Sequence, residues 1–115
     1  MSQKNIKQTD CTVDFAFQRI GGKYKGRILW YLHSNTILRY GELRRTIIGI
    51  TAKMLTQTLR ELEEDDLIIR QVYHQLPPKV EYSLSDTGKE LIPFIKYLNQ
   101  WGEKQMQKNQ NLPKM

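Results

Sequence analysis

Residues 51 to 64 read TAKMLTQTLRELEE, and the way they fold decides how the rest of the chain is arranged. At 100° per residue, Leu55, Leu59 and Leu62 fall at i, i+4 and i+7 on one side of a helix, with Ala52 and Thr58 at its margins. That side is expected to be core. Lys53, Gln57 and Arg60 lie opposite, flanked by Thr56 and Met54. Such a set can donate, accept and make apolar contact at base edges, which makes it a candidate surface for reading a DNA major groove. Thr51 is the expected N-cap, because its hydroxyl can accept from an N–H group that the first turn leaves without a partner. The far end carries Glu61, Glu63, Glu64, Asp65 and Asp66, five acids in six residues. Acids at a helix C-terminus oppose the macrodipole and are repelled by phosphate, so docking on DNA would have to use the N-terminal half.

Immediately upstream, Tyr40 to Ile47 reads as a brief helix with Leu43 and Ile47 inward and Arg44 and Arg45 outward. Gly49 breaks it and Ile50 anchors the turn. Two helices joined by Ile48 to Ile50, with a glycine in the joint, outline a helix-turn-helix. Before them, a helix from Lys23 to about His33 buries Tyr24, Ile28, Leu29 and Leu32 and turns Lys23, Lys25 and Arg27 outward. Ser34, Asn35 and Thr36 end it, and Ile37 to Arg39 is a candidate short strand. From Cys11, the pattern Val13, Ala16, Phe17, Ile20 makes a first amphipathic helix, stopped by Gly21 and Gly22. Residues 1–10 are polar and are expected to form a flexible arm.

Downstream of the acidic turn the apolar period changes from 3.6 to 2. Leu67 to Gln75 is rich in β-branched and aromatic residues, and Lys79 to Leu84 places Val80, Tyr82 and Leu84 on one side. Leu76, Pro77 and Pro78 cannot continue either strand, because proline has no N–H and restricts the residue before it. A stiff, protruding two-stranded wing is expected. Ser85 or Asp86 then caps a final helix to about Lys108, kinked early by Pro93. Leu91, Ile92, Phe94, Ile95, Leu98 and Trp101 give it more apolar surface than one stripe needs, which points to a second copy of the chain as partner, to cover for the domain's own open side, or to both on adjacent faces. Residues 109–115 are expected to fray.

The totals agree with one small domain, here spanning residues 11–108. The start, MSQKNIKQTD, is polar, and the longest unbroken apolar run is Ile28 to Leu32. Neither a signal peptide nor a membrane span is expected, and the chain reads as cytoplasmic. The single cysteine, Cys11, excludes an internal disulfide and fits a reducing compartment. The net charge of +6 is unevenly placed. Residues 1 to 60 hold 11 Lys/Arg against 3 Asp/Glu, a balance of +8, whereas residues 61 to 115 hold 7 against 9, a balance of −2. The positive half contains the candidate reading helix, and positive charge attracts polyanions through counterion release.

No catalytic or metal-binding constellation is present in the sequence. His33 and His74 lie on separate elements without metal-ligand spacing, and no serine stands in a GxSxG elbow. Gly21-Gly22-Lys23 lacks the spacing of a phosphate loop, and the acidic run lacks the glycine and alternation of a calcium loop, reading instead as a solvated turn. Neither enzyme chemistry nor a cofactor is expected.

The order of helices, two-stranded wing and long terminal helix defines an α+β, mainly α, winged helix-turn-helix fold. The sequence resembles a family at Ile20-Gly-Gly-Lys-Tyr24, Arg39-Tyr-Gly-Glu-Leu-Arg-Arg45, Gly49-Ile-Thr51 and Leu55-Thr-Gln-Thr-Leu-Arg-Glu-Leu62. The resemblance continues through Pro77-Pro78, Val80-Glu-Tyr-Ser-Leu-Ser85, Gly88 and Trp101-Gly102. These pieces, in this order, look like the HxlR-type transcriptional regulators, relatives of the MarR-like regulators. Tyr24 stands where that pattern has Trp, Tyr40 where it has Phe, and Asp66 where it has the turn glycine. Among residues other than glycine, Asp is one of those that best tolerate the left-handed conformation.

The resemblance implies a bacterial homodimer on double-stranded DNA, bound to an operator of two related half-sites. Thr51, Lys53, Met54, Thr56, Gln57 and Arg60 are then the major-groove candidates. Lys23, Arg27, Arg44 and Arg45 are candidates for the phosphate backbone, and Lys79 for the wing's contact. The default for any one of these cations is a solvated surface charge. In several members of the family a cysteine near the start of the first helix senses oxidants or electrophiles, and Cys11 sits at the matching place. Lys7 and the helix N-terminus add positive field there, while Asp10 and Asp14 oppose it. Two other readings compete. One is a winged helix used for protein contact. The other is a regulator answering a small aromatic effector in a dimer pocket lined by Tyr24, Trp30, Tyr97 and Trp101, residue types that are more often plain core.

Overall fold

The computed structural model describes residues 11–111; the arm expected at residues 1–10 lies outside that range, as do residues 112–115. The elements in chain order are α1 (Thr12–Ile20), α2 (Lys25–Asn35), β1 (Ile37–Arg39), α3 (Tyr40–Thr46), α4 (Ala52–Glu64), β2 (Ile68–Tyr73), β3 (Lys79–Leu84), α5 (Asp86–Glu90) and α6 (Ile92–Asn111). The wing is larger than the hairpin expected from sequence. β1 joins it in an antiparallel sheet of order β1-β3-β2, with Leu38 opposite Tyr82 and Arg70 opposite Tyr82 on the other side.

The core is built from the apolar stripes of three helices. Ile28, Leu29 and Leu32 of α2, Leu43 of α3 with Ile47 just beyond it, and Leu55 and Leu62 of α4 are fully buried. Each such side chain contributes about 1.5–3 kcal/mol relative to exposure. The sheet closes one side with Leu38, Ile68, Tyr82 and Leu84, and Ile92 and Ile95 of α6 close another. α2 runs to Asn35 and ends where Thr36 takes a positive φ of 70°, its N–H bonded to the Leu32 carbonyl at 2.9 Å. α2 begins at Lys25 rather than Lys23, because residues 22–24 form a turn in which Gly22 has φ +82°.

The junction between α4 and the wing is a Schellman closure. The Leu67 N–H bonds to the Leu62 carbonyl at 2.9 Å and the Asp66 N–H to the Glu63 carbonyl at 3.0 Å, with Asp66 left-handed at φ 59°. Asp66 thus takes the left-handed conformation of a turn glycine. Ser85 locks this turn to the next helix: its hydroxyl donates to the Asp66 carbonyl at 2.6 Å and accepts from the Gly88 N–H at 2.9 Å as the N-cap of α5.

Two expectations are corrected at the ends of the chain. The terminal helix is not one kinked rod but a short α5 followed by α6, and Pro93 lies in the first turn of α6, where its missing N–H has no intrahelical acceptor to lose. α6 also continues through Asn111, past the expected end near Lys108. α1 buries none of its residues: Val13 is 58% and Phe17 51% exposed, while Phe15 and Ile20 are half-buried. Its stripe turns outward beside α6, where the Phe17 and Phe94 rings meet edge-on with centroids 6.1 Å apart. Phe94, Tyr97, Leu98 and Trp101 continue that exposed apolar face along α6.

Candidate DNA-binding surface

α4 is anchored at its entry by three contacts. The Thr51 hydroxyl accepts from the Met54 N–H at 3.1 Å, which is the expected N-cap. The Tyr40 hydroxyl donates to the Ala52 carbonyl at 3.0 Å, and its oxygen lies 3.2 Å from the Thr56 hydroxyl. A carbonyl only accepts, so Tyr40 gives its single proton to Ala52 and Thr56 is the donor in the second bond. Gly49, at φ +90°, makes the turn from α3, and Ile50 is buried beneath it.

With Leu55, Leu59 and Leu62 buried, Lys53, Met54, Thr56, Gln57 and Arg60 are exposed. Two of these, Thr56 and Gln57, have protein partners that the sequence does not announce. Thr56 is tied to Tyr40. Arg60 shares a groove with Thr56, Tyr40 and Arg70 of β2. The Gln57 amide donates to Glu61 at 2.8 Å, and Glu61 in turn faces Lys25 of α2 at 3.1 Å. Lys25 and Arg70 were not among the candidates from sequence; strand alternation in β2 was the available signal for Arg70, whereas nothing local marks Lys25.

The acidic end of α4 is not the solvated turn expected. The Asp65 side chain is only 5% exposed and lies 3.7 Å from Arg19, whose guanidinium stacks over Phe15 at 3.7 Å. Glu63 and Glu64 do face solvent. The remaining cations divide. Arg44 and Arg45 are exposed at the end of α3, and Lys23 is exposed with its ammonium 5.5 Å from the Tyr24 ring. Arg27 is half-buried against the same ring at 5.8 Å. Lys79 is half-buried at the wing, 4.5 Å from the Tyr73 ring and 3.7 Å from Glu81. The wing tip, Leu76 to Pro78, is exposed. Cys11 is exposed at the N-cap of α1. Of the aromatic residues considered for an effector pocket, Tyr24 is core, Trp30 packs half-buried on it, and Tyr97 and Trp101 are exposed on α6.

A short helix, a glycine turn, a capped helix with a polar outer arc and an antiparallel wing define a winged helix-turn-helix protein. The HxlR-like helix-turn-helix model matches residues 19–110, and the chain belongs to that family; it is a transcriptional regulator of the helix-turn-helix type. It is 48% identical over 103 residues to the HTH-type transcriptional regulator YybR of Bacillus subtilis (strain 168), covering 88% of this chain and 82% of that protein. Its fold is similar to the redox regulator HypR in its reduced form, with TM-score 0.82, 41% identity and coverage of 89% of this chain and 100% of that one. It is also similar to the reduced transcriptional regulator YodB from B. subtilis, with TM-score 0.71, 31% identity and coverage of 84% and 94%. Among the described residues no helix is long and apolar enough to cross a membrane.

Proposed function

We propose that this protein binds DNA sequence-specifically as a homodimer, on an operator of two related half-sites about 34 Å apart or a multiple of that spacing. One observation carries the reading: α4 closes the core with its leucines while Lys53, Gln57 and Arg60 stay in solvent behind a capped N-terminus. In this reading those three side chains, with Thr51, Met54 and Thr56, face the major groove. Arg44, Arg45, Lys23 and Arg27 serve the phosphates, and Lys79 sits where the wing approaches the duplex. The apolar face shared by Phe17 and Phe94 and continued by Leu98 and Trp101 is the dimer contact.

Titrating a labelled duplex pool at rising salt tests the assignment. Binding should weaken linearly in log[salt], and Arg44→Ala should reduce the slope by about 0.9, the share of a single neutralised phosphate. Absence of salt-dependent binding would favour a protein-contact role for the same fold.

A second reading concerns regulation. Cys11 is exposed, is the only cysteine of the chain, and precedes a helix of the proposed dimer face; the similar protein HypR is described as a redox regulator. Oxidation by diamide would join two Cys11 thiols in one S–S bond, the N=N bond taking up the two electrons and two protons. Diamide should then weaken DNA binding by the wild type and leave Cys11→Ser unaffected; equal responses would remove the idea, and a small aromatic effector would become the better explanation of any induction.

A further inference from the structure

We infer that Lys25 and Glu61 are positioning residues that set Gln57 for base reading, an inference that rests on the DNA-binding role of α4 proposed above. A carboxylate only accepts hydrogen bonds, so the 2.8 Å contact fixes which end of the Gln57 amide is which: the nitrogen faces Glu61 and the carbonyl oxygen faces away. A Gln–Glu pair one turn apart is weak on an isolated helix. Here the carboxylate is held from a second helix. Lys25 Nζ lies 3.1 Å from Glu61 Oε1, the side chain of Lys25 is only 13% exposed, and the same ammonium donates to the Gln18 carbonyl at 3.3 Å at the end of α1. A chain of contacts from α1 through Lys25 of α2 and Glu61 of α4 therefore ends on one amide of the outer arc.

An amide held this way presents an acceptor and its second N–H to the groove, the pair that matches N6 and N7 of adenine. Holding it in advance also removes rotamer freedom that would otherwise be lost on binding, and it disfavours the flipped amide that would present the wrong order of donor and acceptor. Glu61 thus differs from Glu63 and Glu64. It lies nearer the reading arc, its charge is met by Lys25, and its role is to select a base rather than to keep the acidic end off the duplex.

The test selects binding sequences from a duplex pool with a randomised central stretch, then measures the relative affinity for the four bases at each position for wild type and variants. Gln57→Ala should flatten the preference at one base pair per half-site. Glu61→Ala and Lys25→Met should each flatten the preference at that same base pair by about fivefold or more. Lys25→Arg should restore it, and the salt slope of Lys25→Met should differ from wild type by less than the share of one phosphate, which separates positioning from backbone contact. In the Gln57→Ala background, Lys25→Met should have no further effect on preference. Retention of the preference in both Glu61→Ala and Lys25→Met, or losses spread evenly over all base pairs, would overturn the inference while leaving the DNA-binding role standing. A wild type that selects no sequence at all would overturn that role and this inference with it.

Discussion

The hydroxyls of Tyr40 and Thr56 meet at 3.2 Å across the helix-turn-helix, with Thr56 the donor because Tyr40 gives its own proton to the Ala52 carbonyl. The pairing ties the start of α3 to the first turns of α4 and so sets the angle at which the outer arc is offered. Tyr40→Phe keeps the ring and removes both bonds. We expect a loss of about 1 kcal/mol of stability, read as a fall of roughly 4–8 °C in Tm for a domain of this size. A Tm equal to wild type would show that the angle is set by packing alone.

Gly88 is buried, and a Cβ built on it would run into the Leu67 carbonyl oxygen, a backbone atom that cannot swing aside. That carbonyl already accepts from the Ser85 N–H at 3.1 Å, inside the turn that joins α4 to the wing. Gly88→Ala should therefore lower the urea midpoint with a penalty of about 1–3 kcal/mol, whereas alanine at Gly102, where nothing lies within 4 Å, should not.

Burial separates two kinds of apolar side chain and predicts two different failures. Leu62 is fully buried, so Leu62→Ala should cost about 2–5 kcal/mol of unfolding free energy. Leu98 and Trp101 are exposed on α6, so alanine there should leave the fold's circular-dichroism signature intact and weaken self-association by about tenfold or more in sedimentation, the scale of an interface anchor. A Leu98→Ala, Trp101→Ala protein that dimerises like wild type would place the dimer contact elsewhere.

At the wing, Tyr73 hydrogen-bonds Glu81, and this bond, with the carboxylate's negative charge as a second cause, raises the phenol pKa above its ordinary value of 10.0. The folded state therefore holds this proton more tightly than the unfolded state. Its contribution to stability is complete below about pH 10 and is lost as pH rises through the raised value. Following the Tyr73 ring carbon by NMR against pH, Glu81→Gln should move the titration down; an unchanged midpoint would mean the carboxylate does not act on it.

The helix-turn-helix was legible because period and punctuation agree there. Leu55, Leu59 and Leu62 repeat with the helix, Thr51 can cap, Gly49 can turn, and no other placement buries all the leucines at once. β3 was legible for the same reason, its alternation placing Tyr82 and Leu84 inward as observed. The face of α1 was not. A stripe of Val13, Ala16, Phe17 and Ile20 says that something covers it without saying what, and among the described residues Val13 and Phe17 stay more than half exposed. The break at Leu91 was missed because Pro93 suits the first turn of a new helix as well as a kink. The ion-pair partners of Glu61 and Asp65 were missed because Lys25 and Arg19 come from other helices, and tertiary ion pairs leave no local pattern.

The DNA-reading role proposed for this protein depends on the outer arc of α4 facing DNA bases. The most direct measurement is the dissociation constant of the selected duplex, and of a scrambled duplex of equal length, for wild type and for the Lys53→Ala, Gln57→Ala, Arg60→Ala triple variant at fixed salt. Each good base contact is worth about 1–3 kcal/mol, so the triple variant should lose about tenfold or more of the wild type's preference for the selected duplex while still binding both weakly through phosphates. A triple variant that keeps both the affinity and the preference of wild type would contradict that placement.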